Sequence, residues 1–173
     1  MQILNIKSKI LNHSKGFIFL EILVAVALIS IVFMVLLGMS FSALNISHSI
    51  QQKTKIDSLI KEELEATRSF RDGSTWAANG LGPVNFGAGN PYYLILDNSQ
   101  NPPKWKLQSG TETVGIFTRN VVFDKVSRDP ANNNIESAYN SAHDDPDTRK
   151  VTVSVVWSGK TSQVVTYLTN WQK

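Results

Sequence analysis

The chain has 173 residues, with 17 Lys and Arg against 14 Asp and Glu and no cysteine. Beyond an N-terminal apolar segment that length leaves room for one domain of on the order of 100 residues, and the missing cysteine excludes disulfides, thiolate zinc sites and a cysteine nucleophile. The net charge of +3 is local: Lys7, Lys9 and Lys15 precede Phe17 with no acid among them, and 17 − 3 leaves 14 basic residues against 14 acidic ones in the remainder. A neutral remainder argues for a basic leader and against a nucleic-acid-binding surface.

From Phe17 to Leu37 only Glu21 and Ser30 interrupt the apolar residues. About 20 residues at a rise of about 1.5 Å each match the roughly 30 Å of bilayer hydrocarbon. The lysines ahead of this run orient it with its N-terminus in the cytoplasm. A secretory signal has a shorter apolar core with a small-residue cleavage site after it, and Ser40-Phe41-Ser42 imitates such a site only weakly. Inside a span, the Glu21 carboxylate costs roughly 2.5–3.5 kcal/mol on insertion scales and calls for a partner. Neither a secretory signal nor a plain signal anchor explains it.

The stretch Lys15-Gly16-Phe17-Ile18-Phe19-Leu20-Glu21, set between the basic leader and the apolar run, resembles the class III signal of type IV prepilins and pseudopilins. That resemblance implies a leader, residues 1–16, cut by prepilin peptidase between Gly16 and Phe17 on the cytoplasmic side. It also implies N-methylation of Phe17 and pairing of Glu21 with the Phe17 ammonium of a neighbouring subunit during assembly. Glycine before the cut lets the backbone approach an active site closely. Two charges that are costly alone in hydrocarbon become tolerable as a pair. The implied partners are other pilin or pseudopilin subunits, prepilin peptidase, the inner-membrane assembly machinery and, before assembly, the membrane itself. The implied location is the bacterial inner membrane and then an extracytoplasmic filament, with no cofactor. Many type IV pilins carry a helix-breaking proline where Gly38 stands, and many close a C-terminal loop with a disulfide that this chain lacks.

After Leu44 the apolar residues recur at helical spacing, with Ile46 and Ile50 followed by Ile56, Leu59, Ile60 and Leu64. No proline or glycine occurs between Met39 and Asp72, so the pattern predicts one helix over 17–72, of which 17–37 is the membrane or filament-core part. Asp57–Lys61 and Lys61–Glu65 have ion-pair spacing, Arg68 and Arg71 suit the helix C-terminus, and Gly73 is a stop. The run Glu62-Glu63-Leu64-Glu65-Ala66, followed by Arg68-Ser69-Phe70-Arg71-Asp72, resembles the corresponding helix end of many minor pilins.

Residues 73–91 read as a connecting loop, which in the pilin family is a variable filament-surface region. Strand-like runs follow over 92–96, 104–107, 115–126, 150–157 and 161–171, the last two joined by a turn at Ser158-Gly159-Lys160. The expected fold is α+β and pilin-like, a long N-terminal helix across one face of an antiparallel meander of four or five strands in the domain 73–173. The polar stretch 127–148 reads as a solvated loop. Its Asp144, Asp145 and Asp147 offer the hard oxygen ligands of calcium, and some major pseudopilins bind calcium in a comparable region. Against that, the Asp-x-Asp-x-Asp-Gly spacing is missing and Asp-Pro is a common turn former.

No catalytic constellation is legible: His13, His48 and His143 are scattered, and Gly80-Leu81-Gly82 and Gly87-Ala88-Gly89 lack the lysine and helix of a phosphate loop. Trp76, Trp105, Trp157 and Trp171 suit core or interface packing. The resemblance implies a structural function, that of a minor subunit of a type IV pilus or type II secretion pseudopilus. The alternatives are a signal-anchored extracytoplasmic ligand-binding domain and, because the same signal occurs in competence pseudopilins, a subunit acting in DNA uptake.

Overall fold

A computed structural model describes residues 2–171, with side chains from Phe17 onward. An uninterrupted helix-forming stretch carries α1 from Gln2 to Asp72. It passes through Gly38 without a break, and ends where the Gly73 N–H donates to the Ser69 carbonyl at 2.9 Å. The chain divides into two units, Met1–Gln51 and Gln52–Lys173. In the first, every side chain from Phe17 to Gln51 is exposed. Ser30 and Ser40 donate their hydroxyls to the carbonyls of Val26 and Leu36, at 2.7 and 2.9 Å, so neither adds an unsatisfied donor to the apolar surface.

The second unit holds the sheet. Its strands are β1 (Tyr92–Asp97), β2 (Lys104–Ser109), β3 (Glu112–Val114), β4 (Phe117–Ser127), β5 (Asp144–Trp157) and β6 (Lys160–Thr169). All pairings are antiparallel, in the order β2-β1-β4-β5-β6, with β3 also on β4. There are six strands instead of four or five because a turn at Gly115–Ile116, with Gly115 at φ 65°, folds β3 back onto the start of β4. Nor is the order a simple meander, since β1 lies beside β4. Positive φ at Ser158 (44°) and Gly159 (73°) gives the β5–β6 hairpin a two-residue turn of the hand that suits strand twist.

Strand alternation puts Phe117, Arg119, Val121 and Phe123 of β4 on the buried side, with Val151, Val153 and Val155 of β5. The C-terminal part of α1 contributes Ile56, Leu59, Ile60, Glu63, Ala66 and Thr67 to the buried set. Full burial of an aliphatic side chain is worth about 1.5–3 kcal/mol, so this layer dominates the domain's stability. The sequence pattern extended the apolar stripe to Leu64. The structure leaves Leu64 half-buried and buries Glu63, because the row started by 56 and 59/60 continues through 63 and 66/67 at 3.6 residues per turn. Neither helix ion pair expected at Lys61 is formed among the described residues; Glu65 meets Arg68 instead, an exposed pair of little energetic weight.

Residues 73–91 form neither helix nor strand, yet Trp76, Leu81 and Val84 are core residues. Arg149 clamps this connector. Its guanidinium donates to the carbonyls of Leu81 and Gly82, each at 3.1 Å, and lies 5.5 and 5.0 Å from the ring centres of Trp76 and Phe86. Trp76 donates its indole N–H to the Pro146 carbonyl at 3.1 Å. Trp105 and Trp157 pack at the core edge, whereas Trp171 is exposed and donates to Asp72 at 2.8 Å.

A Cβ at Gly82 would stand 2.5 Å from the Trp76 carbonyl oxygen, while one at Gly89 would meet open space. Gly82→Ala is expected to destabilise the domain by roughly 1–3 kcal/mol, and Gly89→Ala by less than about 0.5 kcal/mol. Urea titrations followed by tryptophan fluorescence check this, since all 4 tryptophans lie in residues 73–173.

Candidate functional site

The side chains of Lys7, Lys9 and Lys15, and the exposure of Gly16, lie outside what the structure describes. Phe17 and Glu21 are placed on α1 four residues apart, hence on one side of the helix. With Leu20 and Val24 they line a shallow concavity, and Phe17 is 74% exposed. Glu21 is the only Asp, Glu, Lys or Arg from Phe17 to Gln52. The result is an exposed apolar helical surface with one carboxylate a single turn beyond Phe17.

A second cluster, missed in the sequence, is buried. Extending the β1–β4 ladder from its bridge, Tyr92–Val121, would set Leu94 opposite Arg119 and Leu96 opposite Phe117. β3 occupies that edge instead, pairing Glu112 with Arg119 and Val114 with Phe117. Displaced from β4, the Leu94 N–H donates to the Glu63 carboxyl of α1 at 2.9 Å. The other Glu63 oxygen lies 3.2 Å from Arg119 Nε, which donates to Glu112 at 2.6 Å; Arg119 Nη1 is 3.1 Å from Glu62. Glu63 is 0% and Arg119 4% exposed.

Burial pushes the Glu63 carboxyl up from 4.5 to about 7, against the opposing pull of Arg119 and the Leu94 N–H. Burial also disfavours the Arg119 charge, but Glu63 and Glu112 more than offset it and raise that group above its ordinary value. Two signals for this cluster were present: a carboxylate in the apolar row of the helix, and an arginine at an inward position of the alternation Phe117, Arg119, Val121, Phe123. Neither says which partner it meets, because that depends on β3.

The three aspartates considered for calcium lie in the first residues of β5, not in a loop, because the β4–β5 ladder resumes there as Val126–Asp145 and Ser127–Asp144. Each has its own partner. Asp144 accepts from the Tyr139 hydroxyl at 2.9 Å, Asp145 from Arg128 at 2.6 Å and Asp147 from Asn170 at 3.1 Å. Burial works against the Asp145 charge, but hydrogen bonds from Thr148 and Arg128 prevail and hold it below the usual carboxylate range. Among the described residues no group of three or more His, Asp or Glu is placed to hold a metal ion. His48 is exposed on α1, and His143 pairs with Glu136 at 3.0 Å.

Removing Arg119 would leave Glu62, Glu63 and Glu112 together at the edge of the core without a cation. Arg119→Met is expected to cost roughly 3–5 kcal/mol, and adding Glu63→Gln to recover part of that loss. A double-mutant cycle in urea, read by tryptophan fluorescence, measures the coupling.

Compared with known protein families, curated proteins and solved structures, the chain matches none. The likeness to pilins therefore rests on this chain's own residues and on its architecture.

Proposed function

We propose that this protein is a structural subunit, in the manner of a minor pilin or pseudopilin, of a type IV pilus or type II secretion pseudopilus. The observation that carries this reading is the surface of α1 from Phe17 to Leu44, exposed, apolar and bearing Glu21 as its one carboxylate. One helix of the described residues is long and apolar enough to cross a membrane. A lone carboxylate in such a surface is a liability for a simple anchor and an asset for a subunit that must find a register. The α+β architecture adds support, with the helix end packed on an antiparallel sheet.

In this reading the subunit waits in the inner membrane with its N-terminus in the cytoplasm. Prepilin peptidase cuts between Gly16 and Phe17 and methylates Phe17, and an assembly ATPase elsewhere supplies the energy of extraction. Transfer from lipid to filament is feasible because helix–helix contacts replace lipid contacts of similar apolarity. Glu21 then meets the Phe17 ammonium of the next subunit. No residue acts as a catalyst.

Glu21→Ala separates this reading from a signal-anchored binding domain. In a host with the assembly machinery, the variant is expected to reach the membrane at normal levels but to fall several-fold in sheared filament fractions, with Glu21→Asp less affected. A tethered binder would tolerate Glu21→Ala, and unchanged incorporation would count against the filament subunit.

A further inference from the structure

A row of three polar side chains crosses the sheet. Asp124 of β4 lies opposite Lys150 of β5, and Lys150 lies opposite Tyr167 of β6. Their neighbours Phe123, Val151 and Leu168 are buried, so strand alternation puts the row on the face turned away from the core. The segment between β4 and β5 supplies a facing wall, and the cleft between them has a volume of about 420 Å³. That lies within the range of roughly 300–1,000 Å³ typical of small-molecule sites. The wall is braced: the Glu136 N–H donates to the Ser127 carbonyl at 3.0 Å, the Asn140 N–H donates to the Ser127 hydroxyl at 2.9 Å, and Arg128 forms a bridge with Ile135.

Two tyrosines line this cleft, Tyr139 on the wall and Tyr167 on β6, and each exposes nearly half its surface. Two cations, Lys125 and Lys150, share it with two carboxylates, Asp124 and Glu136. These charges are already answered: Lys150 by Asp124 and Lys125 by Asp144, both at 3.8 Å, and Glu136 by His143 at 3.0 Å. Among the described residues an ionic ligand therefore meets no excess charge of either sign. At 3.8 Å, however, the lysine–aspartate pairs are too long to be hydrogen bonds. Their protons and lone pairs stay open to a neutral hydroxyl.

We propose that this cleft binds an uncharged oligosaccharide, with sugar rings laid on Tyr139 and Tyr167 and sugar hydroxyls bonded to the Asp124–Lys150 pair and to Lys125. A sugar ring has an apolar C–H face and a polar rim, and the walls match it with aromatic faces beside charges neutralised in pairs. A purely apolar ligand would desolvate those charged groups without bonding them. A phosphate or carboxylate would have to compete with a carboxylate already beside each lysine. The wall is set before any ligand arrives, which lowers the ordering cost of binding. The site belongs to the sheet domain and stands whether or not the chain enters a filament.

Amide NMR of the full chain in a phosphocholine detergent, which carries no sugar headgroup, tests the site. The neutral probes are cellotetraose, chitotetraose, maltotetraose and mannotetraose, and the charged probe is tetragalacturonate, each titrated to about 50 mM, well above the Kd of a millimolar site. At least one neutral probe is expected to shift the amides of Lys125, Ser137, Lys150 and Tyr167 while leaving those of Trp105 and Leu107 in place. Its Kd is expected to change less than about twofold between about 50 and about 500 mM salt. Tyr167→Ala is expected to weaken that binding at least about tenfold and Lys150→Met several-fold. Trp171→Ala, an exposed aromatic outside the cleft lining, is expected to leave it unchanged. No shift at these amides from any neutral probe, tighter binding of tetragalacturonate, or neutral binding that survives Tyr167→Ala would overturn the proposal. Should Tyr167→Ala fail to fold, Tyr139→Ala and Lys150→Met decide in its place.

Discussion

Glu63 joins two parts of a sheet that the strand ladder leaves almost unjoined. β1 leaves β4 after one bridge, β3 takes its place, and the helix carboxyl holds the amide of Leu94 that would otherwise be buried without an acceptor. A buried, unpaired N–H costs about 1–3 kcal/mol, so the strand exchange is workable only with a helix side chain of this length at this position. Arg119 belongs to the same solution, since a buried carboxyl beside two further acids needs a cation. Buried ion pairs add little net stability over apolar packing, but losing one partner is severe. Their value here is positional, fixing how the helix end lies on the sheet.

The rest of the domain is arranged around that contact. Ile56, Leu59 and Ile60 on one side of Glu63, and Ala66 and Thr67 on the other, make up the helix part of the core, and Thr67 returns its hydroxyl to the Glu63 carbonyl at 2.7 Å. Arg149 does for the connector what Arg119 does for the seam. Burial lowers its pKa, and its guanidinium is spread over the Leu81 and Gly82 carbonyls and two aromatic faces. Two buried arginines thus each take an inward position of β4 or β5, Arg149 bonding the connector's backbone directly and Arg119 reaching β1 only through Glu63.

Much of this was legible in the residues. The apolar run from Phe17, the helix stop at Gly73 and the β5–β6 turn all follow from local patterns, because each depends on side chains within a few residues. The six-strand order was not legible: Gly115 reads equally as a strand start or a turn, and only the tertiary choice between β1 and β3 for one edge of β4 decides. Glu63 and Arg119 were hidden for a related reason. A charge in an apolar row looks like an interruption until its partner, 56 residues away in sequence, is known. The region around Asp144 read as a loop because its composition is polar, whereas strand pairing past an irregularity in β5 makes it an edge of the sheet.

The helix exposed from Phe17 and the sheet domain with its own core are the two features on which the filament-subunit proposal rests. The measurement that tests this most directly is intact-mass and N-terminal peptide mass spectrometry on protein expressed with and without a prepilin peptidase. The account predicts a mature chain that begins at Phe17 and carries one N-methyl group only when the peptidase is present. An uncut chain beside an active peptidase, or a start after Ser42, would contradict it.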